Sequence, residues 1–137
     1  MVDIRSYKNP DFSDLIGLLK DAEIYHKPVD NEEIFKKKIS IDPESIIVAE
    51  IDGKIMGCVF IAYDPCQSFI YHLGVGVNHR KEGIGTKLME KAENILKKRG
   101  MLKPKLYVEE GNEEVIEFYN KQGWHISCNA YCLEKDL

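Results

Sequence analysis

No stretch of this chain stays apolar for the ~18 residues that a membrane helix needs; the longest such run, Ile55–Tyr63, stops far short. Asp3 and Arg5 break up the N-terminus, where a secretory signal would require an unbroken apolar segment. A basic excess is missing too. Nineteen Lys and Arg stand against 23 Asp and Glu, a net charge of −4, which argues against the basic stripe of a nucleic-acid binder. Cysteine is sparse and unpatterned: Cys58, Cys66, Cys128 and Cys132 form no CxxC pair and no Cys/His zinc spacing. Without a secretory signal, reduced thiols are expected rather than two disulfides, and no metal centre. Repeats, low-complexity tracts and Pro- or Gly-rich linkers are also lacking, so nothing marks a domain boundary. The expectation is a soluble, cytoplasmic, single domain over residues 1–137 that engages neither membrane nor nucleic acid.

What is present suits a folded domain. The 137 residues fall near the ~150 typical of one domain, and 44% are apolar. At this size folding buries roughly 68% of the unfolded surface, enough for a core.

Periodicity then orders the elements. Met1–Tyr7 reads as a strand. Asn9-Pro10 places a cap before proline at the first helical position, and Phe12, Leu15, Ile16, Leu19 and Ala22 follow at helical spacing, giving a helix over Asp11–Tyr25. A more polar helix is expected at Asn31–Ser40. From Ser45 the period changes: Ile46–Ile51 and Lys54–Tyr63 flank Asp52-Gly53, a strong hairpin signal, and Ser68–Val77 is a third strand. Gly83–Arg99 is amphipathic, with Ile84, Leu88, Ala92, Ile95 and Leu96 on one face and Gly100 as its stop. Lys105–Val108 is expected as a short strand. Asn112 caps a last helix reaching about Lys121 and ended by Gly123, before two closing strands at Trp124–Ser127 and Ala130–Leu133. The fold class is therefore α/β (α+β): a mixed, mostly antiparallel central sheet of about six or seven strands, with about four helices on its faces.

The stretch with most chemistry runs from Leu73 to Thr86, where a strand ends and the strongest helix begins. Glycines there let backbone approach a ligand, and the first helical amides lack partners, which suits a phosphate. Lys81 and Lys87 add charge. A P-loop is excluded, because Gly83-Ile84-Gly85-Thr86-Lys87 lacks the Gly-x4-Gly-Lys-Ser/Thr spacing. A dinucleotide fingerprint fails as well, since its third glycine falls on His79 or Leu88.

Arg80-Lys81-Glu82-Gly83-Ile84-Gly85 resembles the acetyl-coenzyme A signature Arg/Gln-x-x-Gly-x-Gly/Ala of the GNAT N-acetyltransferase superfamily. Asn112, with Tyr119 seven residues later and then Gly123-Trp124, resembles the superfamily's C-terminal block. The likeness covers nearly the whole chain and is similar to the small YpeA-like acetyltransferases. It implies a GNAT fold and acetyl transfer from acetyl-CoA, as co-substrate, to a primary amine of an unidentified acceptor, by direct attack in a ternary complex. A splay between central strands would admit the pantetheine arm. Leu73, Gly74 and Val75 would line it, a backbone amide near Val75 meeting the acetyl carbonyl. Arg80, Lys81, Glu82, Gly83, Ile84, Gly85 and Thr86 would hold the pyrophosphate, and Asn112 would contact the cofactor. Tyr119 would lie by the sulfur as the acid that protonates the leaving thiolate, a role suited to a phenol that stays protonated at neutral pH. Dimers are common in the superfamily, and the terminal strands would be the edges for pairing across chains; the oligomeric state is left open.

Two departures qualify the pattern. Lys81 stands where the family usually has glycine, and Glu82 sets a carboxylate beside the expected pyrophosphate. The strand positions that carry a glutamate base in relatives are Phe69 and Tyr107 here. An amine with a lysine-like pKa of ~10.4 must nevertheless lose a proton before it attacks. His72, His79, Glu109, Asp64 or a water chain are left as candidates. The rival reading is a non-catalytic acyl-CoA-binding sensor, which the missing carboxylate favours and the retained Asn112 and Tyr119 oppose.

Overall fold

Four strands form an antiparallel meander in the order β1 (Val2–Ser6), β2 (Ile46–Ile51), β3 (Lys54–Asp64) and β4 (Gln67–Val75). The computed structural model describes all residues from Met1 to Leu137. They divide into two compact units, Met1–Leu106 and Tyr107–Leu137. In the first unit, α1 (Phe12–Asp21) and α2 (Glu32–Ile41) connect β1 to β2, and α3 (Ile84–Lys98) follows β4.

Local chemistry accounts for most of these boundaries. Asp52 and Gly53 take φ of +51° and +80°, the left-handed pair that a two-residue hairpin turn requires. The Asn31 side chain accepts the Ile34 N–H at 2.9 Å and starts α2. Gly100, at φ +84°, ends α3 by donating to the Lys97 carbonyl.

The sheet is buried on both faces. Ile46, Val48, Cys58 and Phe60 pack with Leu15, Leu18, Leu19 and Phe35 of the first two helices. The alternate residues Ile47, Ala49, Val59 and Ile61 are equally buried and belong to the face covered by α3, which lies against β2, β3 and β4. Gly57 permits that approach: a Cβ there would come within 3.0 Å of Leu88 and 3.1 Å of Ile84. Phe35 is the hub of the other face, its ring meeting Tyr7, Phe12 and Phe60 edge-on at 5.4–5.9 Å. At the far end of α3, Arg99 forks onto Asp42 at 2.7 and 2.9 Å and reaches Glu44 at 3.2 Å.

One irregularity bends β4. Cys58 pairs with Gly74 but Phe60 pairs with Tyr71, so His72 and Leu73 both stand opposite Val59. This is a β-bulge. His72 absorbs the extra residue with φ +51°.

The sheet has four strands rather than the expected six or seven. Lys105 makes a single parallel bridge to Phe69, exchanging bonds with the Ile70 N–H at 2.9 Å and the Ser68 carbonyl at 3.1 Å, and residues 106–108 do not extend it. Trp124–Ser127 and Ala130–Leu133 are not strands either. A strand needs a ladder partner and a buried face; here Ile126, Tyr131 and Leu133 are all exposed, so their alternation marks no core. In the second unit, α4 (Glu113–Asn120) is capped by Asn112, whose Oδ1 accepts the Val115 N–H at 3.4 Å. It ends at Gly123, φ +93°, whose N–H bonds the Asn120 carbonyl.

Candidate active site

The segment between β4 and α3 is built to leave amides free. The first intrahelical bond of α3 runs from the Lys87 N–H to the Gly83 carbonyl at 3.1 Å, so the N–H groups of Ile84, Gly85 and Thr86 precede it. Gly83 caps the helix in the left-handed region, φ +82°, with open space where a Cβ would stand. Lys81 is left-handed too, φ +64°. Two left-handed residues so close wrap the chain into a concave turn at the positive end of the α3 dipole, and such turns attract anions. Arg80 and Lys81 are exposed on it, and the Arg80 Nε donates to the Val75 carbonyl at 3.3 Å, tying the turn to the end of β4. Glu82 is engaged by its neighbour: its carboxylate lies 3.2 Å from the His79 Nδ1.

Leu73 is the second residue of the bulge, and Gly74 and Val75 follow it at the C-terminal end of β4. Gly74 is buried under the end of α1, where a Cβ would lie 3.1 Å from Ile24. Beyond the bridge at Phe69, no strand pairs with the outer edge of β4. An unpaired edge of this kind leaves backbone donors and acceptors available to a ligand.

In the second unit, Asn112 is exposed at the start of α4, and Tyr119 lies on its half-buried side. The Tyr119 ring meets Phe118 at 5.1 Å and Trp124 at 6.1 Å. Burial raises its phenol pKa above the ordinary value, which keeps the hydroxyl protonated. The site residues named from sequence thus form two groups: Leu73 to Thr86 in the first unit, Asn112 and Tyr119 in the second.

The four side chains expected as bases differ sharply in surroundings. Asp64 accepts the backbone N–H groups of Cys66 and Gln67 at 2.7 and 3.1 Å, shaping the β3–β4 turn. His79 is bound to Glu82, and Glu109 is exposed in the second unit. His72 instead faces a buried carboxylate, Asp30, at 3.0 and 3.1 Å. Asp30 is missed by sequence reasoning. It precedes the Asn31 cap and reads locally as turn chemistry, and no linear spacing connects it to His72. No group of three or more His, Cys, Asp or Glu side chains is placed to hold a metal ion, and no helix is long and apolar enough to cross a membrane.

A family model described as acetyltransferase (GNAT) matches residues 6–124. The chain belongs to the GNAT acetyltransferase family. An acetyltransferase of Sodalis glossinidius is 30% identical over 136 residues, covering 99% of this chain and 96% of that protein. One from Yersinia pseudotuberculosis is 33% identical over 120 residues, covering 88% and 85%. Among solved structures, the PaiA N-acetyltransferase of Thermoplasma acidophilum, in complex with coenzyme A, superposes with a TM-score of 0.83 at 22% identity, covering 95% of this chain and 93% of that one. Ard1 of Thermoplasma volcanium gives 0.80 at 23% identity, covering 93% and 84%. At these identities the superpositions establish the GNAT fold.

Proposed function

We propose that this GNAT protein transfers acetyl from acetyl-CoA to a primary amine in a ternary complex, and that residues 1–137 form one acetyltransferase domain. The family match supports the domain reading, since residues 6–124 run from the first compact unit into the second. The observation that carries the reading is the β4–α3 turn. Its left-handed Lys81 and Gly83, free amides at the start of α3 and exposed Arg80 and Lys81 suit a pyrophosphate, and the PaiA protein of the same fold is described bound to coenzyme A. On this reading the amides of Lys81, Glu82, Gly83, Ile84, Gly85 and Thr86 hold the pyrophosphate. The free edge at Leu73, Gly74 and Val75 receives the pantetheine arm and the acetyl carbonyl, and Asn112 adds a polar contact. Acetyl-CoA supplies an activated thioester, and Tyr119 gives its phenolic proton to the departing sulfur.

Calorimetric titration with acetyl-CoA and with coenzyme A tests this. Micromolar binding is expected, weakened at least tenfold by Gly83→Val with the circular dichroism spectrum retained. Absence of binding at millimolar ligand rejects the cofactor site. Phe69 and Tyr107, in place of a carboxylate base, favour one rival, a non-catalytic acyl-CoA sensor. Tyr119→Phe separates the two: a catalyst loses about 10²-fold in turnover and keeps its affinity for coenzyme A, whereas a sensor shows no turnover to lose.

A further inference from the structure

Asp30 is 3% exposed, and a buried carboxylate is tolerated only when hydrogen-bonded and paired. It accepts the His26 backbone N–H at 2.6 Å, and both its oxygens face the His72 Nε2 at 3.0 and 3.1 Å. A carboxylate only accepts, so Nε2 carries the hydrogen, and in the neutral ring Nδ1 keeps its lone pair. Nδ1 has no partner within the chain, and 17% of the His72 side chain reaches solvent. The ring plane is fixed by Phe60, 5.0 Å away and edge-on, and by Tyr71 at 5.1 Å. The backbone is fixed as well: His72 is held left-handed at the bulge, and the Cys58 thiol donates to its carbonyl at 3.2 Å. Strained backbone that neighbouring contacts over-determine is concentrated at functional positions. Directly after it, Leu73, Gly74 and Val75 form the edge assigned above to the pantetheine arm and the acetyl carbonyl.

We infer that His72 is the general base that takes a proton from the amine acceptor through Nδ1, and that Asp30 is its positioning residue; the inference rests on the acetyl-transfer reading. An Asp–His pair of this kind fixes one tautomer and stabilises the imidazolium once formed. The other titratable groups near the ring are neutral at neutral pH or more distant. The Cys58 thiol from β3 is pushed up to about 12 by burial, as is the Tyr71 phenol beside it. The Lys38 ammonium from α2 lies over Tyr71, 5.3 Å from that ring, and is bound to the Ile61 carbonyl. Asp30 is therefore the one charge in direct contact.

The protons balance. The acceptor ammonium gives one proton to His72, directly or through one water; His72 releases it to solvent and is neutral again as the free nitrogen attacks the acetyl carbon. As the C–N bond forms and the C–S bond breaks, the second nitrogen proton leaves through the imidazole to solvent. Tyr119 protonates the departing sulfur and is reprotonated by water. Ammonium and thioester become amide, thiol and one released proton.

His72→Asn is the informative variant, because asparagine tolerates left-handed backbone but does not serve as a base. Thiol release would be followed with spermidine, L-lysine and an alanine tripeptide as probes, across pH, beside coenzyme A titration and melting curves. The expected result is a loss of roughly 10²–10³-fold in kcat, disappearance of the acid limb of kcat/KM, and unchanged coenzyme A affinity. Asp30→Asn is expected to lower kcat less and to move that limb to lower pH, since the imidazolium loses its counter-charge. Turnover within threefold of wild type, or a raised KM with kcat intact, would overturn the assignment of the base alone. Coenzyme A binding by the wild type with none of the three amines acetylated would overturn the transferase reading and the base with it. Nitrogen-15 NMR of the unaltered protein decides independently of folding defects: the Nε2–H tautomer is expected for His72, and the Nδ1–H tautomer refutes the proposal.

Discussion

Lys81 holds a left-handed backbone, φ +64°, where an L-residue with a Cβ is disfavoured by roughly 1–2 kcal/mol and glycine is not. The GNAT pattern usually carries glycine there, so this chain gives up local ease and gains a cation beside the amides of Gly83 to Thr86. Lys81→Gly should separate the two effects. Glycine loses about 0.5–1 kcal/mol more chain entropy on folding, leaving a net gain on the order of 0.5–1 kcal/mol in urea unfolding. Affinity for coenzyme A should fall severalfold in the same variant, with a shallower salt dependence. A variant both less stable and equally tight in binding would show that neither strain nor charge operates at this position. Glu82 adds a further residue-scale point: its carboxylate is occupied by His79 at 3.2 Å, which offsets part of the repulsion it would offer a phosphate.

At the scale of elements, the end of α1 shows how a helix stops without the usual residue. The Ile24 N–H reaches the Leu19 carbonyl at 3.0 Å and the Glu23 N–H reaches the Lys20 carbonyl at 3.1 Å, the paired bonds of a Schellman motif. Glu23 occupies the left-handed position, φ +60°. Glu23→Gly should therefore raise stability by about 1 kcal/mol, read as a higher urea midpoint with an unchanged slope; a lower midpoint would contradict this account of the cap. The same site explains why periodicity carries the helix on to Tyr25 when it ends at Asp21: no glycine announces the stop. Asp52-Gly53, Asn112 and Gly100 were legible because capping and turn chemistry act within a few residues. The strands expected after Lys105 were not, since pairing depends on partners far away in the chain. The same division holds in the site. Arg80 to Thr86 is one contiguous motif, readable by spacing, whereas Asp30 and His72 meet only after α2, β2 and β3 have folded between them.

At the scale of the whole molecule, two arginines tie together segments that are distant in sequence. Arg5 bonds Asp11 and Glu50, and Arg99 joins the end of α3 to Asp42 and Glu44 on the α2–β2 connection. The hydrogen bonds from Arg5 and Arg99 hold the carboxyl pKa values of Asp11 and Asp42 below the ordinary 3.8. A carboxylate so depressed contributes its full stability above pH 3.8 and loses it as pH falls towards the folded value, because the unfolded chain binds the proton first. On the alkaline side, burial pushes the Tyr7 phenol up to about 12, so stability falls as pH rises from 10 towards 12. Burial brings the Lys38 ammonium down to about 8, which acts the other way between pH 8 and 10.5, where the unfolded chain holds the extra proton. The acid limb is the cleaner test, since both carboxylates act in the same direction there. Asp42→Asn should lower the unfolding free energy by about 1–2 kcal/mol at pH 7, the range of a charge-assisted bond at a partly exposed site. The gap between wild type and variant should narrow steadily below pH 3.8 as the wild-type carboxyl takes up its proton. A gap as wide at pH 2.5 as at pH 7 would mean that Asp42 stabilises the connection through shape rather than charge.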